Sequence, residues 1–185
     1  MSDSIRGHYQ AEGVDGFYRG HGAAYRNPHE PAVAEALRLA VQRWRPDLSA
    51  VLDLACGSGE ATLVLRSLGA GRIEGADPYT GAAYAERTGL TAEPWSFADV
   101  EAGALAGRRW SLIVCSYALH LAEESRLPAL AWRLAEAADA LLVITPHKRP
   151  VLRPQWGWEP LGELVADRTR ARMFAATRAD FLENR

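Results

Sequence analysis

Residues 51–62 constrain the fold of this chain more than any other stretch. Four residues typical of a buried strand run into the turn Gly57-Ser58-Gly59, and a helical pattern of apolar residues begins at Ala61. A strand, a glycine-containing turn and a helix in immediate succession are typical of the first unit of a nucleotide-binding α/β sheet. The glycines let the backbone turn tightly and approach a ligand, and the free N–H groups of the helix point to the same place. We therefore expect a ligand above this turn.

The identity of that ligand is narrowed by the neighbouring residues. A dinucleotide fingerprint requires a third glycine where this chain has Thr62, so a pyrophosphate is the poorer fit. Instead, Asp53 lies inside the strand, and Asp77 follows the apolar segment 73–76. This pattern, within roughly residues 51–146, resembles motif I and the acidic end of strand two in class I S-adenosylmethionine-dependent methyltransferases of the type 11/12/25 kind.

The resemblance implies a fold and a cofactor. The expected fold is α/β, a three-layer αβα Rossmann-like methyltransferase. Its doubly wound, mostly parallel sheet has the order 3-2-1-4-5 and is completed by one or two C-terminal antiparallel strands. The expected cofactor is S-adenosylmethionine, with S-adenosylhomocysteine as the product. Open sheets of this kind bind ligands at the carboxyl ends of the strands, where Asp77 is predicted to lie.

The resemblance also assigns roles to residues at this edge. Asp77 would accept both ribose hydroxyls, with a helix N-cap as its alternative role. Asp99 would accept the adenine amino group and Val100 would lie flat against the base, but Asp99 could equally cap a helix over residues 100–105. The remaining predicted cofactor contacts are Tyr25, Asp53, Ala55, Cys56, Gly57, Gly59, Pro78 and Ser116.

The chain of 185 residues is predicted to form one domain in three parts. An N-terminal lid, residues 1–30, carries aromatic residues among glycines and precedes a Rossmann-like core, residues 31–145. An acceptor loop with the C-terminal strands occupies residues 146–185, where 161–177 could form one long strand or two short ones. The third core strand is predicted at residues 95–98, and the last helix of the usual fold is expected to be shortened or missing.

Catalytic candidates follow strands four and five. Methyl transfer from a sulfonium is an in-line displacement, so the protein must mainly align the reactants and remove one proton. His120 is the preferred general base because imidazole exchanges protons near neutral pH. His147 and the acceptor-orienting hydroxyl of Tyr117 are further candidates, although each of the three could simply wall the pocket. His29 is assigned to the surface or to a helix cap.

Composition limits the partners. The net charge of −2 disfavours binding to nucleic acid through a general basic surface, although basic residues outnumber acids from Pro146 onward and leave RNA open. No apolar run is long enough to span a bilayer and the start has no apolar signal region, so we expect a soluble, cytoplasmic protein without a membrane partner. Cys56 and Cys115 are expected to be buried free thiols, and the protein to be a monomer or a homodimer.

The preferred function is methyl transfer to an oxygen or nitrogen of a small molecule. One alternative is methylation of the terminal ribose of RNA through the basic C-terminal segment, and another is a non-catalytic S-adenosylmethionine-binding protein. His120, Glu123, Glu124 and His147 are possible metal ligands, as in the RNA enzymes. Here, however, a histidine precedes the acids rather than following them, so no metal is predicted.

Overall fold

The computed structural model describes residues 26–177, and seven strands in this range form one sheet of order β3-β2-β1-β4-β5-β7-β6. The strands are β1 (Ala50–Leu54), β2 (Arg72–Ala76), β3 (Ala92–Glu93), β4 (Trp110–Ser116), β5 (Ala138–Thr145), β6 (Trp158–Ala166) and β7 (Thr169–Ala176). The helices are α1 (Glu30–Trp44), α2 (Glu60–Ser67), α3 (Gly81–Thr88), α4 (Phe97–Glu101) and α5 (Leu127–Ala137). The predicted doubly wound α/β fold is confirmed.

The first five strands are parallel, and the chain finishes with two antiparallel strands. β7 pairs with β5, and β6 pairs with the outer side of β7, so the segment 161–177 contains parts of two strands rather than one. Between β5 and β6 the backbone makes a short 3₁₀ turn at Pro154–Trp156, and within residues 26–177 no α-helix follows α5. This agrees with the expected loss or shortening of the last helix.

The central strands of the sheet are buried on both faces, because neighbouring residues of a strand point to opposite sides and helices cover both sides. Leu52 and Ile113 pack on the face covered by α4 and α5, whereas Val51 and Leu112 pack on the face covered by α1 and α2. All four side chains are fully buried. Burial of one such side chain stabilises the fold by about 1.5–3 kcal/mol, so the two layers hold β1 and β4 rigidly in the centre.

One further prediction, about the two cysteines, can be compared with the fold. Cys56 and Cys115 are free and buried, as expected. Trp158 is fully buried within its own chain and donates its indole N–H to the carbonyl oxygen of Ala131 at 2.8 Å.

In the described range, no helix combines the length and apolar character needed to cross a bilayer.

The predicted third strand at residues 95–98 is wrong. The strand is shorter and earlier, at Ala92–Glu93, and Phe97 already belongs to helix α4. Ser96 is the N-cap of this helix: its hydroxyl accepts a hydrogen bond from the backbone N–H of Asp99, whose carboxylate accepts one from the N–H of Ser96. This reciprocal pair satisfies two otherwise free donors and therefore starts a helix where the sequence was interpreted as a strand.

Candidate functional site

A cavity of about 350 Å³ opens at the carboxyl ends of β1, β2 and β4. The strand ends contribute Ala55, Cys56, Gly57, Asp77, Pro78, Ser116 and Tyr117, all of them predicted site residues. The other lining residues come mainly from the segments that follow β2, β3 and β4; they are Asn27, Glu60, Tyr79, Trp95, Ser96, Phe97, Ala98, Glu101, Ala118, Leu121, Ala122, Glu123 and Arg126. The cavity thus lies at the edge predicted from the strand order.

The turn after β1 has the unusual backbone that its glycines suggested. Gly57 and Gly59 have φ values of 56° and 91°, and Ala55 also lies in the left-handed region at 56°. The N–H of Cys56 donates to the carbonyl oxygen of Ala76 at 3.1 Å, which ties the turn to the end of β2. Gly59 does not line the cavity; a Cβ there would collide with the side chain of Thr88. Gly59 therefore allows the turn before α2 to approach the side chains of α3 closely.

Asp77 lines the cavity and also organises its floor. Its carboxylate accepts hydrogen bonds from the backbone N–H groups of Gly57 at 3.2 Å, Tyr79 at 2.9 Å and Thr80 at 3.0 Å. The hydroxyl of Thr80 returns a hydrogen bond to the carbonyl oxygen of Gly57 at 2.7 Å. Asp77 therefore lies in the cavity wall, as an acceptor for a ligand must, whereas its alternative role as a helix N-cap is not met, because the N-cap of α3 is Thr80.

Asp53 is fully buried but does not line the cavity. Its Oδ2 accepts hydrogen bonds from the backbone N–H of Thr62 at 3.0 Å and from the Thr62 hydroxyl at 2.7 Å. Its Oδ1 has no hydrogen-bond partner among residues 26–177. Burial raises the pKa of this carboxyl to about 7, against the opposing effect of the Thr62 hydrogen bond. Asp53 therefore fastens β1 to α2 rather than reaching a ligand directly.

Asp99 and Val100, the predicted adenine contacts, also lie outside the cavity lining. Asp99 is exposed and bound to Ser96, and these hydrogen bonds lower the pKa of its carboxyl. Val100 is buried in the core beneath the sheet. The segment immediately before them faces the cavity instead, through Trp95 and Phe97. Because α4 begins before Asp99, its first turn carries the carboxylate away from the site.

Of the three catalytic candidates, only Tyr117 lines the cavity. Its backbone has a φ of 55°, uncommon for a bulky side chain, at the point where the chain leaves β4. Its hydroxyl lies 2.6 Å from the hydroxyl of Thr169, at the start of β7. His29 is exposed and is the N-cap residue of α1, as assigned, although its side chain forms no capping hydrogen bond. Its ring also stacks on that of Tyr117, with centroids 5.0 Å apart.

His120 and His147 form a pair outside the cavity lining. Their ring centroids are 4.6 Å apart, and Nδ1 of His120 lies 3.5 Å from the hydroxyl of Thr145. Burial, with a smaller effect from His147, lowers the pKa of His120 to about 4. His120 lies within a 3₁₀ turn at Leu119–Leu121, which directs its side chain towards β5, while the next residue, Leu121, lines the cavity. Within the described range, no three His, Cys, Asp or Glu side chains are grouped closely enough to hold a metal ion.

Sequence reasoning missed several cavity residues, and Glu60 is the most buried charged one. It is the first residue of α2 and 4% exposed. Its Oε1 accepts from the backbone N–H of Asn27 at 3.2 Å, from the Ser58 hydroxyl and from the Arg87 guanidinium at 3.2 Å. Its position directly after the glycine turn was the one feature of the sequence that could have identified Glu60 as a cavity residue. Its partners Asn27 and Arg87 lie far from it in the chain, so no local pattern connects them.

The opposite wall carries an ion pair that was also not predicted. Nε of Arg126, before α5, lies 3.1 Å from Oε2 of Glu101, at the end of α4, and both residues line the cavity. Tyr25, a predicted cofactor contact, and residues 1–24 of the predicted lid lie outside the described residues. The described part of that segment reaches the cavity through Asn27.

No protein family model matches the chain. An uncharacterized protein of Schizosaccharomyces pombe is 30% identical to it, over 92% of this chain and 91% of that protein. The similarity therefore extends over nearly the whole length of both proteins.

Solved structures with the same fold have lower sequence identity. Magnesium protoporphyrin IX methyltransferase from Synechocystis PCC 6803, solved with bound S-adenosylmethionine, is 18% identical over 93% of this chain and 94% of its own, with a TM-score of 0.57. An O-methyltransferase family protein from Burkholderia thailandensis is 18% identical over 92% of this chain and 61% of its own, with a TM-score of 0.61. A putative RNA methyltransferase from Pyrococcus horikoshii is 17% identical over 82% and 86%, also with a TM-score of 0.61.

Proposed function

The chain belongs to the family of the Schizosaccharomyces pombe protein and has the class I methyltransferase fold, and on this premise we propose that it transfers a methyl group from S-adenosylmethionine to a small-molecule acceptor. The observation that carries the proposal is that Asp77 and the backbone at Gly57 share one cavity at the carboxyl edge of the parallel strands. Ligands of open α/β sheets bind at this edge, where the order of the strands reverses.

The residues of the cavity fit the cofactor. A volume of about 350 Å³ lies within the range of about 300–1,000 Å³ typical of small-molecule sites. The carboxylate of Asp77 can accept hydrogen bonds from ribose hydroxyls, and Trp95 and Phe97 offer aromatic surfaces to a flat base. We therefore assign the adenine side to Trp95 and Phe97 in place of Asp99 and Val100.

When bound, the cofactor supplies an electrophilic methyl group on a sulfonium. The chain's part is to hold this group and the acceptor in line and to exclude water. Ser116, Tyr117 and Leu121 line the cavity beyond the end of β4 and form the proposed acceptor side. The contact with Thr169 gives the Tyr117 hydroxyl a defined position from which to orient an acceptor oxygen or nitrogen. We rank Tyr117 ahead of His120 and His147, because those two lie outside the lining.

A small acceptor is favoured over RNA by the charges near the C-terminal strands. Arg149 pairs with Glu124, and Arg170 and Arg172 both pair with Glu163. Three of the basic residues that suggested an anionic partner therefore already have acidic partners. We also propose a cytoplasmic location, which suits the two buried free thiols.

Isothermal titration calorimetry of the purified protein with S-adenosylmethionine, S-adenosylhomocysteine and NAD tests the cofactor. We expect binding of the first two, and binding of NAD alone would refute the proposal. Incubation with tritiated-methyl S-adenosylmethionine and fractionated cell extract tests the acceptor. Label in small molecules supports the proposal, label in RNA supports the alternative acceptor, and cofactor binding without any labelled product supports a non-catalytic protein.

A further inference from the structure

The strongest unassigned feature of the cavity is the carboxylate of Glu60. Its side chain is almost completely buried, yet it lines the cavity. All of its hydrogen bonds to residues 26–177 involve Oε1, which accepts from Asn27, Ser58 and Arg87. No hydrogen bond to Oε2 is formed within that range. A buried carboxylate with one unshared oxygen in a cavity wall is a favourable partner for a cation with N–H donors.

The charges around Glu60 point in the same direction. Arg87 is shared between two carboxylates, with its guanidinium 2.7 Å from Glu30 and 3.2 Å from Glu60. Among residues 26–177, two carboxylates therefore face one guanidinium, and these three side chains carry one net negative charge. The Glu30 side chain is 40% exposed and that of Arg87 is 19% exposed, but that of Glu60 is only 4% exposed, so water screens the charge of the Glu60 carboxylate poorly. One further cation beside Glu60 would balance the cluster.

We propose that Glu60 binds the α-ammonium group of the amino-acid tail of S-adenosylmethionine through Oε2. This inference rests on the proposed function. The ammonium carries three N–H donors, whereas the sulfonium carries none, so the carboxylate selects the tail of the molecule. Glu60 is the first residue of α2, directly after the Gly57–Gly59 turn, whereas Asp77 stands at the end of β2. The two carboxylates thus hold the two polar ends of one ligand, the tail at Glu60 and the ribose at Asp77.

The test compares two ligands on three proteins by calorimetry. The ligands are S-adenosylhomocysteine and its deaminated analogue, in which hydrogen replaces the α-amino group. The proteins are the wild type, Glu60→Gln and the matched control Glu30→Gln. Both substitutions remove one carboxylate charge from the Arg87 cluster, but Glu30 does not line the cavity.

We expect the wild type to prefer S-adenosylhomocysteine over the analogue by about 10- to 100-fold, the usual worth of a charge-assisted hydrogen bond. The preference should fall below about threefold in Glu60→Gln and persist in Glu30→Gln. A Glu60→Gln protein that keeps the full preference overturns the inference. Equal binding of both ligands by the wild type also overturns it, without any variant.

The same measurements separate a failure of the proposed function from a failure of the role of Glu60. If the wild type binds neither adenosine compound, the proposed function fails and the inference fails with it. Circular dichroism checks that each variant is folded; if Glu60→Gln is not, Glu60→Ala, which leaves no unpaired amide, replaces it with the same expected loss of preference. A folded Glu60→Ala protein that retains the preference refutes the role of Glu60.

Discussion

Replacement of Asp53 by Asn should remove a specific pH dependence of stability. The Asp53 carboxyl is fully buried at the centre of the sheet, where it accepts hydrogen bonds from the N–H and hydroxyl of Thr62. Burial raises its pKa from 3.8 to about 7 in the folded state. In the unfolded chain water solvates the carboxyl, and its pKa returns to about 3.9.

The direction and the size of the effect follow from this difference in pKa. Between about pH 4 and pH 7 the folded state binds a proton that the unfolded state has released, so the free energy of unfolding falls as the pH rises. Each unit of pKa difference corresponds to about 1.4 kcal/mol, so the loss between these limits approaches about 4 kcal/mol for Asp53. Above pH 7 the contribution no longer changes, because both states are ionised.

Urea denaturation of the wild type and Asp53→Asn at half-unit steps from pH 4 to pH 8 measures the effect. The difference between the two proteins cancels the groups that titrate alike in both. Asp99→Asn is the control, because Asp99 is exposed and its pKa is lowered by Ser96, so its contribution is lost only on acidification below about pH 4. A wild-type-minus-Asp53→Asn difference that stays flat, or that rises from pH 4 to pH 7, would refute the assignment of a buried, proton-binding Asp53.

Three other perturbations follow from the same structure. Asp77→Asn should weaken binding of S-adenosylhomocysteine by about 1.5–3 kcal/mol in calorimetry, since it removes a charged acceptor, and unchanged affinity would limit Asp77 to its backbone contacts. The pKa of His120 is lowered to about 4, so an NMR titration should show this imidazole still neutral at pH 6. Because the unfolded chain binds the proton more readily, the free energy of unfolding should fall as the pH falls from about 6.5 to 4. A titration midpoint near 6.5 would contradict the burial of His120. Gly75→Ala should destabilise the protein by about 1–3 kcal/mol in thermal melts, because the new Cβ would lie 2.5 Å from Cζ of Tyr84. Gly81→Ala is its control: nothing lies within 4 Å of that Cβ, so a gain of up to about 1 kcal/mol is expected, and equal losses in both variants would refute the steric account.

The predictions that depended on short segments agree closely with the structure. β1, the turn at Gly57 and α2 follow each other as the residue pattern indicated, and Asp77 ends β2 beside them. Burial on both faces requires an almost continuous apolar run, which marks β4 and β5 in the sequence. The carboxyl ends of parallel strands share one edge, so residues distant in sequence could be brought to one cavity by strand order alone.

The structure gives Asp99 a capping role, the alternative that the sequence left open, at a place where two local signals competed. Ser96 and Asp99 have the spacing of a capping box, which predicts a helix start, while the resemblance assigned the same residues to a strand end. The capping box determined the local structure, and it directed Asp99 into solvent. The spacing of the capping box was visible in the sequence, but it prevailed over the strand interpretation only because β3 is so short.

The catalytic candidates show a different limit of prediction from sequence. A residue just past a strand can face either side of the sheet edge, and one turn of 3₁₀ helix decides which. Here that turn carries His120 towards Thr145 and β5, and leaves Tyr117 and Leu121 at the cavity. No periodicity in the sequence encodes this choice, because it depends on packing against the neighbouring strand.

The sequence by itself determined the order of strands and helices, the glycine turn and the acid at the end of β2, because these follow from local residue patterns and from the edge shared by parallel strands. Only the tertiary structure decided which side chains reach the cavity. Glu60 meets Asn27 and Arg87 across 33 and 27 residues of chain, and such contacts form only when α1, α2 and α3 pack together. The same packing buries Asp53 away from the site and so decides its proton binding.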